Sequence, residues 1–493
     1  MYITELIEKD LKLENLYKKD SKITGVTDDS RKVKPGMVFV AVKGNKVNGI
    51  SFLNEAIAFG ASTVVCTKRQ AYKIKEKKVN IISSRNTRLG LALISKKIYP
   101  LQPSNIVAVT GTNGKTSINN YLFEIWKANN IKALSIGTLG IRYDKTLDKT
   151  IHTTPEAPIL HKELHKAKRK QIEHAVLEAS SHALHQSRID AVNIICSVFT
   201  NLSRDHLDYH KTFKNYFSSK VKLFNKILDK NGFAVINIDN KYGEKVLNIC
   251  KCKDIKAITY GTKKKCIWQL KKIKKLNSNQ AIVYFKFKKL QYSFKSTTLS
   301  AFQNENILCA IAIAHNFGIP LNNILSSIPE MSHPKGRLNK VSINMNEDIS
   351  IFIDYAHTPE ALKNVLEELR KIKNKKGKLN LVFGCGGDRD KGKRKLMGKI
   401  ANDLADVVYI TDDNPRFENP SCIRKEIMKY CKKSYEIASR KEAIFQAVNE
   451  LKEKDLLLIA GKGHEQKQEL NGKTIPFNDE KIAKIALKKR KSK

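Results

Sequence analysis

The chain has 493 residues, of which 41% are hydrophobic, and carries a formal net charge of +43. That length exceeds the ~250–300 residues at which a single hydrophobic core stops growing, so two or three domains are expected. The composition is that of an ordinary globular protein and excludes collagen-like or low-complexity chains. The nine cysteines lack the paired spacings of a disulfide scaffold or zinc ribbon.

The excess of positive charge would allow binding to nucleic acid through counterion release. The lysines are spread over nearly every segment, however, and no basic patch interleaved with aromatic residues stands out. We expect no specific nucleic-acid partner and keep a basic nucleic-acid-binding NTPase as the alternative from a different class. Residues 1–10 lack the apolar run of a signal peptide, and no stretch approaches the ~18 apolar residues of a membrane span. These patterns predict a cytoplasmic protein without a membrane span.

Short strand-like runs alternate with longer helical patterns along the chain, which predicts an α/β fold with largely parallel sheets. The predicted strands are, in chain order, residues 37–42, 106–110, 193–200, 234–238, 349–354, 379–383, 406–411 and 455–460. Pro100 and Pro103 stop any helix before strand 106–110, and a second break lies near residues 333–336. The expected domains are therefore residues 1–103, 104–335 and 336–493.

A loop with two glycines follows the predicted strand 106–110 and precedes a helical pattern. Its sequence, GTNGKTS, is a shortened form of the G-x-x-x-x-G-K-[ST] phosphate loop. In such a loop, backbone N–H groups surround a phosphate, a lysine reaches the β- and γ-phosphates and a hydroxyl binds Mg²⁺. The pattern predicts ATP binding by a P-loop ATPase-like central domain through Gly111, Thr112, Asn113, Gly114, Lys115, Thr116 and Ser117.

Six further motifs follow the loop: EASSHAL at 178–184, TNLSRDHLDYH at 200–210, DYAHTP at 354–359, GCGGDRDKGKR at 384–394, DNPR at 413–416 and GKGHE at 461–465. Together they resemble the Mur ligases, and within that family the tripeptide synthetases (MurE) of the diaminopimelate-adding type. The resemblance runs from Asp29 to Glu465. It implies a smaller N-terminal α/β domain that binds UDP, a central ATP-binding domain with a mostly parallel sheet, and a C-terminal Rossmann-like domain that binds the amino acid.

The resemblance implies a monomeric, ATP-dependent ligase of peptidoglycan biosynthesis. It would join meso-2,6-diaminopimelate to UDP-N-acetylmuramoyl-L-alanyl-D-glutamate. A carboxylate is a poor electrophile, so it is first phosphorylated to an acyl phosphate, which the amine then attacks. Phosphoryl transfer needs cations around the phosphate. The resemblance implies Mg²⁺ held by Thr116, Glu178, His206 and a carbamate that CO₂ forms on Lys220. Lys115, Lys220, Glu178 and His206 are then the expected catalytic residues.

The resemblance also assigns the binding residues. On the ATP side it adds Asn306, Arg337 and Asp354, with His357 nearby. For the UDP-muramoyl dipeptide it gives Ser30, Asn45, Lys46, Val47, Thr153, Thr154, Ser180, Gln186 and Arg188. For diaminopimelate it gives Arg389, Asp413, Asn414, Pro415, Arg416, Gly461 and Glu465.

Diaminopimelate and L-lysine differ by a carboxylate at the far end of the molecule. An arginine fork binds that carboxylate bidentately and repels the bare ammonium of lysine. Arg416 of the DNPR motif supplies such an arginine, which favours diaminopimelate. The alternatives are an L-lysine-adding member, another Mur ligase or a folylpolyglutamate synthetase; the last two would lack DNPR beside GCGGDR.

Two local patterns suggest other chemistry. His206 and His210 are spaced i, i+4 and could hold zinc, but the glutamate of H-E-x-x-H is absent, so Mg²⁺ is preferred. The serines beside His182 lack the G-x-S-x-G elbow of a hydrolase, so a serine hydrolase is not favoured.

Six positions depart from the family pattern, and none is an expected phosphate or amino-acid contact: Asn48, Ile50, Asn240, Gln303, Asn339 and Lys395.

Overall fold

The computed structural model describes the chain apart from residues 9, 19–20, 45–46, 76–77, 144–145, 149–151, 278–279, 342–348 and 492–493. Three separate β-sheets follow one another along the sequence, and a two-stranded hairpin lies near the end. The sheets are largely parallel and alternate with helices, which confirms the predicted α/β class. In the described part of the chain, no helix combines the length and apolar character needed to cross a bilayer.

The first sheet has five strands in the order β1-β5-β4-β3-β2, and only β1 runs antiparallel to its neighbour. An apolar cluster lies on each face; Val38 and Val40 of β3 belong to one and Phe39 to the other. This alternation follows from the two-residue period of a strand. The strands are β1 Leu11–Asn15, β2 Gly25–Thr27, β3 Met37–Val40, β4 Thr63–Cys66 and β5 Asn80–Ser84. The helices are α1 Leu53–Ala58, α2 Lys68–Ala71 and α3 Thr87–Ile98.

The middle sheet has eleven strands in the order β16-β15-β14-β13-β12-β11-β6-β10-β7-β8-β9. The strands from β14 to β7 are parallel. At the centre of the sheet, β6 and β11 are near-continuous buried runs, as expected for strands covered on both faces. The strands are β6 Asn105–Thr110, β7 Ala133–Gly137, β8 Gly140–Tyr143, β9 Thr146–Asp148, β10 His174–Glu178, β11 Ile194–Phe199, β12 Leu228–Asn237, β13 Lys256–Gly261, β14 Trp268–Lys275, β15 Ala281–Phe287 and β16 Leu290–Ser296.

Helices cover both faces of this sheet. α4 and α10 pack against each other and bury residues such as Trp126 and Leu308 in one of its two cores. α10 is apolar on nearly all sides because it lies between the sheet and α4. The helices are α4 Lys115–Ala128, α5 Ala157–Arg169, α6 Ser181–His185, α7 Leu207–His210, α8 Phe213–Lys222, α9 Lys241–Cys252, α10 Ala301–Asn316 and α11 Leu321–Ser327.

The third sheet has six strands in the order β17-β18-β22-β19-β20-β21, all parallel except β17. The strands are β17 Asn339–Lys340, β18 Ser350–Asp354, β19 Leu379–Phe383, β20 Val407–Ile410, β21 Ser434–Glu436 and β22 Leu456–Ala460, and the hairpin is β23 Lys467–Leu470 with β24 Lys473–Pro476. The helices are α12 Pro359–Ile372, α13 Gly392–Leu404, α14 Pro420–Met428, α15 Arg440–Glu450 and α16 Asp479–Lys491.

The carboxyl ends of the parallel strands in the two larger sheets supply the polar loops. The phosphate loop follows β6 and Glu178 ends β10 in the middle sheet, whereas Asp354 ends β18 and Gly461 follows β22 in the third. Ligands of open α/β sheets bind just beyond this edge. Contacts such as the hydrogen bond from Arg337 Nη2 to Thr116 Oγ1, 3.0 Å long, join the two sets of loops. The fold therefore places one composite site between the two sheets.

Candidate active site

The phosphate loop has a backbone that requires its two glycines. Gly111 and Gly114 have φ angles of +150° and +88°. A Cβ on Gly111 would lie 1.8 Å from the hydroxyl of Thr200, so no side chain fits there. Gly114 precedes the first turn of α4, a helix of 14 residues whose N-terminus faces the loop. The loop therefore has the geometry that a phosphate needs at a helix N-terminus.

Two lysines, the buried Lys220 and the partly buried Lys115, point at the same backbone oxygen. The Nζ atoms of Lys115 and Lys220 each lie 2.8 Å from the carbonyl oxygen of Gly111. Burial lowers the pKa of the Lys115 amine. Burial, together with the charge of Lys115, holds the pKa of the Lys220 amine well below its usual value. Two ammonium groups in this position repel each other, so the arrangement favours a neutral amine on Lys220.

Oxygen atoms surround the start of α4. Thr116 Oγ1 donates to Glu178 Oε2 over 3.0 Å, and Glu178 Oε2 also accepts from the hydroxyl of Thr138 over 3.0 Å. Glu178 is 2% exposed. Mg²⁺ prefers oxygen ligands and is bound by one or two carboxylates together with substrate phosphates and water. Thr116 and Glu178 beside the phosphate loop therefore fit a magnesium ion.

A buried acid and two histidines lie next to this group. Asp205 Oδ2 is 3.2 Å from His206 Nε2 and 3.8 Å from His357 Nε2. Burial lowers the pKa of His206 to about 3 and that of His357 to about 4. Burial opposes ionisation of Asp205, but His206, His357 and Lys393 together hold its pKa below the usual value. Near neutral pH both imidazoles are therefore neutral and available as acceptors.

A cavity of about 350 Å³ lies on the β12–β13 side of the phosphate loop. Asn113, Gly114 and Ser117 of the loop line it, together with three residues assigned to ATP: Asn306, Arg337 and Asp354. Burial raises the pKa of Asp354 to about 6, and its Oδ2 accepts a hydrogen bond from the backbone of Leu338. The structure thus brings the residues predicted for the nucleotide together. His357, expected on the ATP side, does not line this cavity but lines a smaller one together with Lys115 and Thr116 of the loop.

A smaller cavity of about 120 Å³ contains the expected catalytic residues Lys115, Lys220, Glu178 and His206. It shares Asn113, Gly114 and Arg337 with the nucleotide cavity. On its other side it shares Thr153, Ser180, Asp205, His206, Tyr355 and His357 with a third cavity of about 680 Å³. The three cavities therefore lie next to one another in a row that passes the phosphate loop.

Loops and a short helix beside the middle sheet form one wall of the 680 Å³ cavity. This wall contains five residues that were assigned to the dipeptide: Thr153, Thr154, Ser180, Gln186 and Arg188. Arg188 donates to Thr154 O over 2.8 Å and to Gln186 Oε1 over 2.7 Å, and it pairs with Glu156. Ser180 caps α6. These bonds hold a guanidinium, an amide and hydroxyls at the cavity wall.

The third-sheet wall of the same cavity contains the residues assigned to diaminopimelate, namely Arg389, Asp413, Asn414, Arg416, Gly461 and Glu465. Arg416 Nη1 donates to Gly387 O over 2.8 Å, and its Nε lies 3.1 Å from Glu469 Oε2. Within the described residues, the buried Oδ2 of Asp413 has no hydrogen-bond partner. Burial raises the pKa of Glu465, although the charge of Lys462 opposes that shift. This wall thus offers cationic and anionic groups side by side.

The remaining assigned residues lie elsewhere. Ser30 donates to Glu55 Oε2 over 2.7 Å, and Val47 is exposed; neither lines the three cavities. Asn45 and Lys46 fall outside the described residues. Pro415 does not line the cavity, but its carbonyl packs against Gly387. The contacts predicted for the UDP end therefore stay predictions.

Three features of the site were missed from sequence. Arg204 forms a two-bond ion pair with Asp390, Nε to Oδ2 at 2.8 Å and Nη2 to Oδ1 at 3.0 Å, which joins the middle and third sheets. Lys393 Nζ donates to His357 O over 2.9 Å. The fully buried Lys462 contacts Asn414 and Glu465. All three groups lie inside motifs already noted, but their partners are distant in sequence, apart from Glu465, which is three positions from Lys462.

The alternative chemistries and the departures can also be located. The described part of the chain contains no group of three or more His, Cys, Asp or Glu side chains placed to hold a metal, so the zinc hypothesis gains no support.

Among the departures from the family pattern, Asn240 caps α9, Asn339 Oδ1 accepts from Arg337 N and Gln303 Oε1 accepts from Asn306 Nδ2. These three substitutions make local hydrogen bonds beside the nucleotide cavity.

Comparison with known proteins agrees with this geometry. Residues 22–99 match the model of the Mur ligase family catalytic domain, residues 109–314 the Mur ligase middle domain, and residues 336–463 the Mur ligase glutamate ligase domain. The chain is 38% identical to a UDP-N-acetylmuramoyl-L-alanyl-D-glutamate--2,6-diaminopimelate ligase of Rickettsia conorii, covering 94% of this chain and 96% of that protein.

The ligase of the same name from Rhizobium meliloti is 39% identical, with 94% of each chain covered. A solved structure of a ligase with this name is 30% identical, covers 100% of this chain and 99% of its own, and superposes with a TM-score of 0.68. Family models match all three sheets, and the resemblance inferred from the motifs extends over nearly the whole sequence. The chain belongs to the Mur ligase family.

Proposed function

We propose that this protein is the ATP-dependent ligase that adds meso-2,6-diaminopimelate to UDP-N-acetylmuramoyl-L-alanyl-D-glutamate. The observation that carries the proposal is the row of three adjacent cavities. ATP would occupy the 350 Å³ cavity, its γ-phosphate the 120 Å³ cavity, and the glutamyl carboxylate and the diamine the 680 Å³ cavity. The order of these cavities matches the order in which the reacting groups must meet.

The reaction needs a carboxylate oxygen in line with the γ-phosphate and the leaving oxygen of ADP, and an amine that then reaches the carboxyl carbon. Lys115 at the phosphate loop and Arg337 across the cleft supply positive charge to the transferring phosphoryl group. Arg188 holds the acidic substrate from the middle-sheet wall. The γ-phosphoryl group passes to the carboxylate oxygen, ADP leaves, and the diamine attacks the acyl phosphate and releases phosphate.

Magnesium would be held by Thr116 and Glu178, with the neutral His206 as a further ligand. When bound, the ion neutralises phosphate charge. The chain's own contribution is to keep these ligands in place: Thr138 donates to Glu178 through both its hydroxyl and its backbone N–H, the latter over 2.7 Å.

We also propose that Lys220 is carbamylated. Its side chain is 1% exposed, and its Nζ shares the Gly111 carbonyl with Lys115. A neutral amine attacks CO₂ to form an N–C bond and releases one proton, so a side chain whose ammonium form would repel Lys115 becomes an anion that attracts it. This change of sign would place a carboxylate-like group beside Glu178 and Asp205 in the 120 Å³ cavity.

The function is tested by measuring phosphate release with ATP, Mg²⁺, the UDP-muramoyl dipeptide and either diamine, with the product identified by its mass. We expect release and a lengthened peptide with diaminopimelate and much less with L-lysine. If neither ADP nor a lengthened peptide forms with all substrates present, the proposed function is wrong. DNA-stimulated ATP hydrolysis in the absence of dipeptide would favour the nucleic-acid alternative instead.

The carbamate is tested separately by intact-mass measurement in ¹³C-bicarbonate. We expect one labelled CO₂ adduct on the unaltered chain, none on Lys220→Ala, and turnover of that variant about 10²-fold lower, in line with the loss of one group that stabilises the transition state. The control is Lys222→Ala, which removes a nearby lysine that donates to Leu184 and Ser187. Full turnover by Lys220→Ala, with no adduct on the parent, would rule the carbamate out.

The domain division proposed from sequence has structural support. The three sheets span residues 11–84, 105–296 and 339–460, so each lies within one of the segments 1–103, 104–335 and 336–493. Limited proteolysis should cut first near residues 99–104 and 331–336, since these segments connect separate cores. Cleavage within a sheet before these segments would contradict the division.

A further inference from the structure

Lys462 lies beneath the part of the 680 Å³ cavity that the DNPR motif lines. Its side chain is fully buried, and its Nζ donates to Asn414 Oδ1 over 2.9 Å and to Glu465 Oε2 over 2.7 Å. A buried ammonium is costly unless its donors are satisfied by acceptors or by an opposite charge. Lys462 is therefore held in place by two residues expected to bind the diamine.

These contacts fix the orientation of the Asn414 amide. Its Oδ1 accepts from Lys462 and from the backbone N–H of Glu469, the latter over 3.0 Å. Its Nδ2 consequently faces Glu465 and donates to Oε2 over 3.0 Å. Both bonds to Glu465 fall on the same carboxylate oxygen, so its other oxygen, Oε1, lies outside this network.

The corner of the cavity that Asp413, Asn414 and Glu465 line has an uneven balance of charge. Asp413 and Glu465 contribute two carboxylates, and the buried Oδ2 of Asp413 has no hydrogen-bond partner within the described residues. Lys462 cancels one of these negative charges. The arginine next to the corner, Arg416, is itself paired with Glu469 at 3.1 Å. The corner as built therefore has a net charge of about one negative unit, which one ammonium group balances.

We propose that Lys462 is a specificity-determining residue that makes this corner accept the zwitterionic end of diaminopimelate in preference to the bare ammonium of L-lysine. The inference rests on the proposed function. Without Lys462 the corner gains a negative charge, which attracts a lone ammonium more strongly and repels the neighbouring carboxylate of diaminopimelate. Loss of Lys462, which lies beneath the cavity wall, would therefore weaken the preference for diaminopimelate that Arg416 provides.

The test compares kcat/KM for diaminopimelate and for L-lysine in Lys462→Met, Lys462→Gln and Lys462→Arg. We expect the ratio to shift toward L-lysine by at least about tenfold in the Met and Gln variants, because both lose the charge, and to stay near the parent value in Lys462→Arg. The Gln variant keeps a hydrogen-bond donor and so remains informative if Met disturbs folding. Lys484→Met is the matched control, since Lys484 forms an exposed ion pair on α16.

The outcomes separate the two proposals. If Lys462→Met and Lys462→Gln lose both diamines in equal proportion, Lys462 only supports the packing of the loop and the inference is overturned. KM for ATP reports general damage, and we expect it to change by less than about twofold. If the unaltered protein turns over neither diamine, the proposed function fails before the role of Lys462 is reached.

Discussion

The lysines at the phosphate end of the site and the lysine at the amino-acid end make different kinds of contact. At the phosphate end, Lys115 and Lys220 donate to the carbonyl of one glycine, and the loop shape depends on Gly111 and Gly114. At the amino-acid end, side chains bond to side chains, as in the network of Lys462, Asn414 and Glu465. Substitutions should therefore stop the reaction at the first end and change the preferred substrate at the second.

The largest expected effect is at the phosphate end. Lys115→Met should lower kcat by at least about 10³-fold, because a cation that stabilises charge on the transferring phosphoryl group is lost. Phosphate release at saturating substrates measures it, with Lys162→Met, an exposed position on α5, as the control. Turnover within about tenfold of the parent would mean that the backbone alone suffices at this end.

The second effect lies at the amino-acid end. Arg416→Ala should raise KM for diaminopimelate by about 10²-fold, since charged hydrogen bonds of ~1.5–3 kcal/mol each are removed, and should leave KM for ATP nearly unchanged. Arg416→Lys keeps the positive charge without the guanidinium fork, so its KM for diaminopimelate should lie between that of the parent and that of Arg416→Ala. A parallel rise in KM for ATP would show that the two ends are not independent.

A smaller effect is expected from the ion pair that joins the two ends. Arg204 directly precedes Asp205 and Asp390 directly follows Arg389, so the pair aligns cavity residues on both walls. Arg204→Ala and Asp390→Asn should each lower kcat by about tenfold, and the double variant should be hardly worse, which corresponds to a coupling of about 1 kcal/mol or more. The control is Arg370→Ala, which breaks an ion pair within the third domain. Additive losses would show that the pair does not couple the walls.

The smallest effect concerns pH. Burial raises the pKa of Glu465 above its ordinary value, so this carboxylate becomes neutral at a higher pH than an exposed glutamate. Its contact with an ammonium is present above that pKa and lost as the pH falls through it. KM for diaminopimelate should therefore rise several-fold from about pH 8 to about pH 5, more steeply than KM for ATP. In Glu465→Gln, KM for diaminopimelate should rise less steeply as the pH falls. An equally steep rise in this variant would mean that another group causes the pH dependence.

The sequence predicted features that depend on neighbouring residues. Strand 379–383 is observed with the same bounds, and strand 455–460 begins one residue later, because apolar runs buried on both faces are easily recognised. The phosphate loop was predicted for the same reason, since its glycines, lysine and threonine are contiguous. The assignment of other site residues came from the family resemblance, and their positions along one row of cavities came only from the structure.

Other features depend on partners that are distant in sequence. Arg204 and Asp390 are 186 positions apart and lie in loops of different sheets, so no local pattern pairs them. Strands β14 to β16 were hidden by lysines: Trp268, Val283 and Phe285 face the core, while lysines occupy many of the exposed positions between them. Lys462 was noted only as part of a motif, because its buried position depends on how the third sheet packs.

The adjacency of the three cavities has a consequence for inhibition. A single elongated compound with a nucleotide mimic at one end and an amino acid at the other would span neighbouring cavities of one protein molecule. Binding of the first end would raise the local concentration of the second to the millimolar range, so two weak fragments joined by a linker of matching length would act as one tight binder. A linker too short to pass Lys115 and Lys220 would lose this gain entirely.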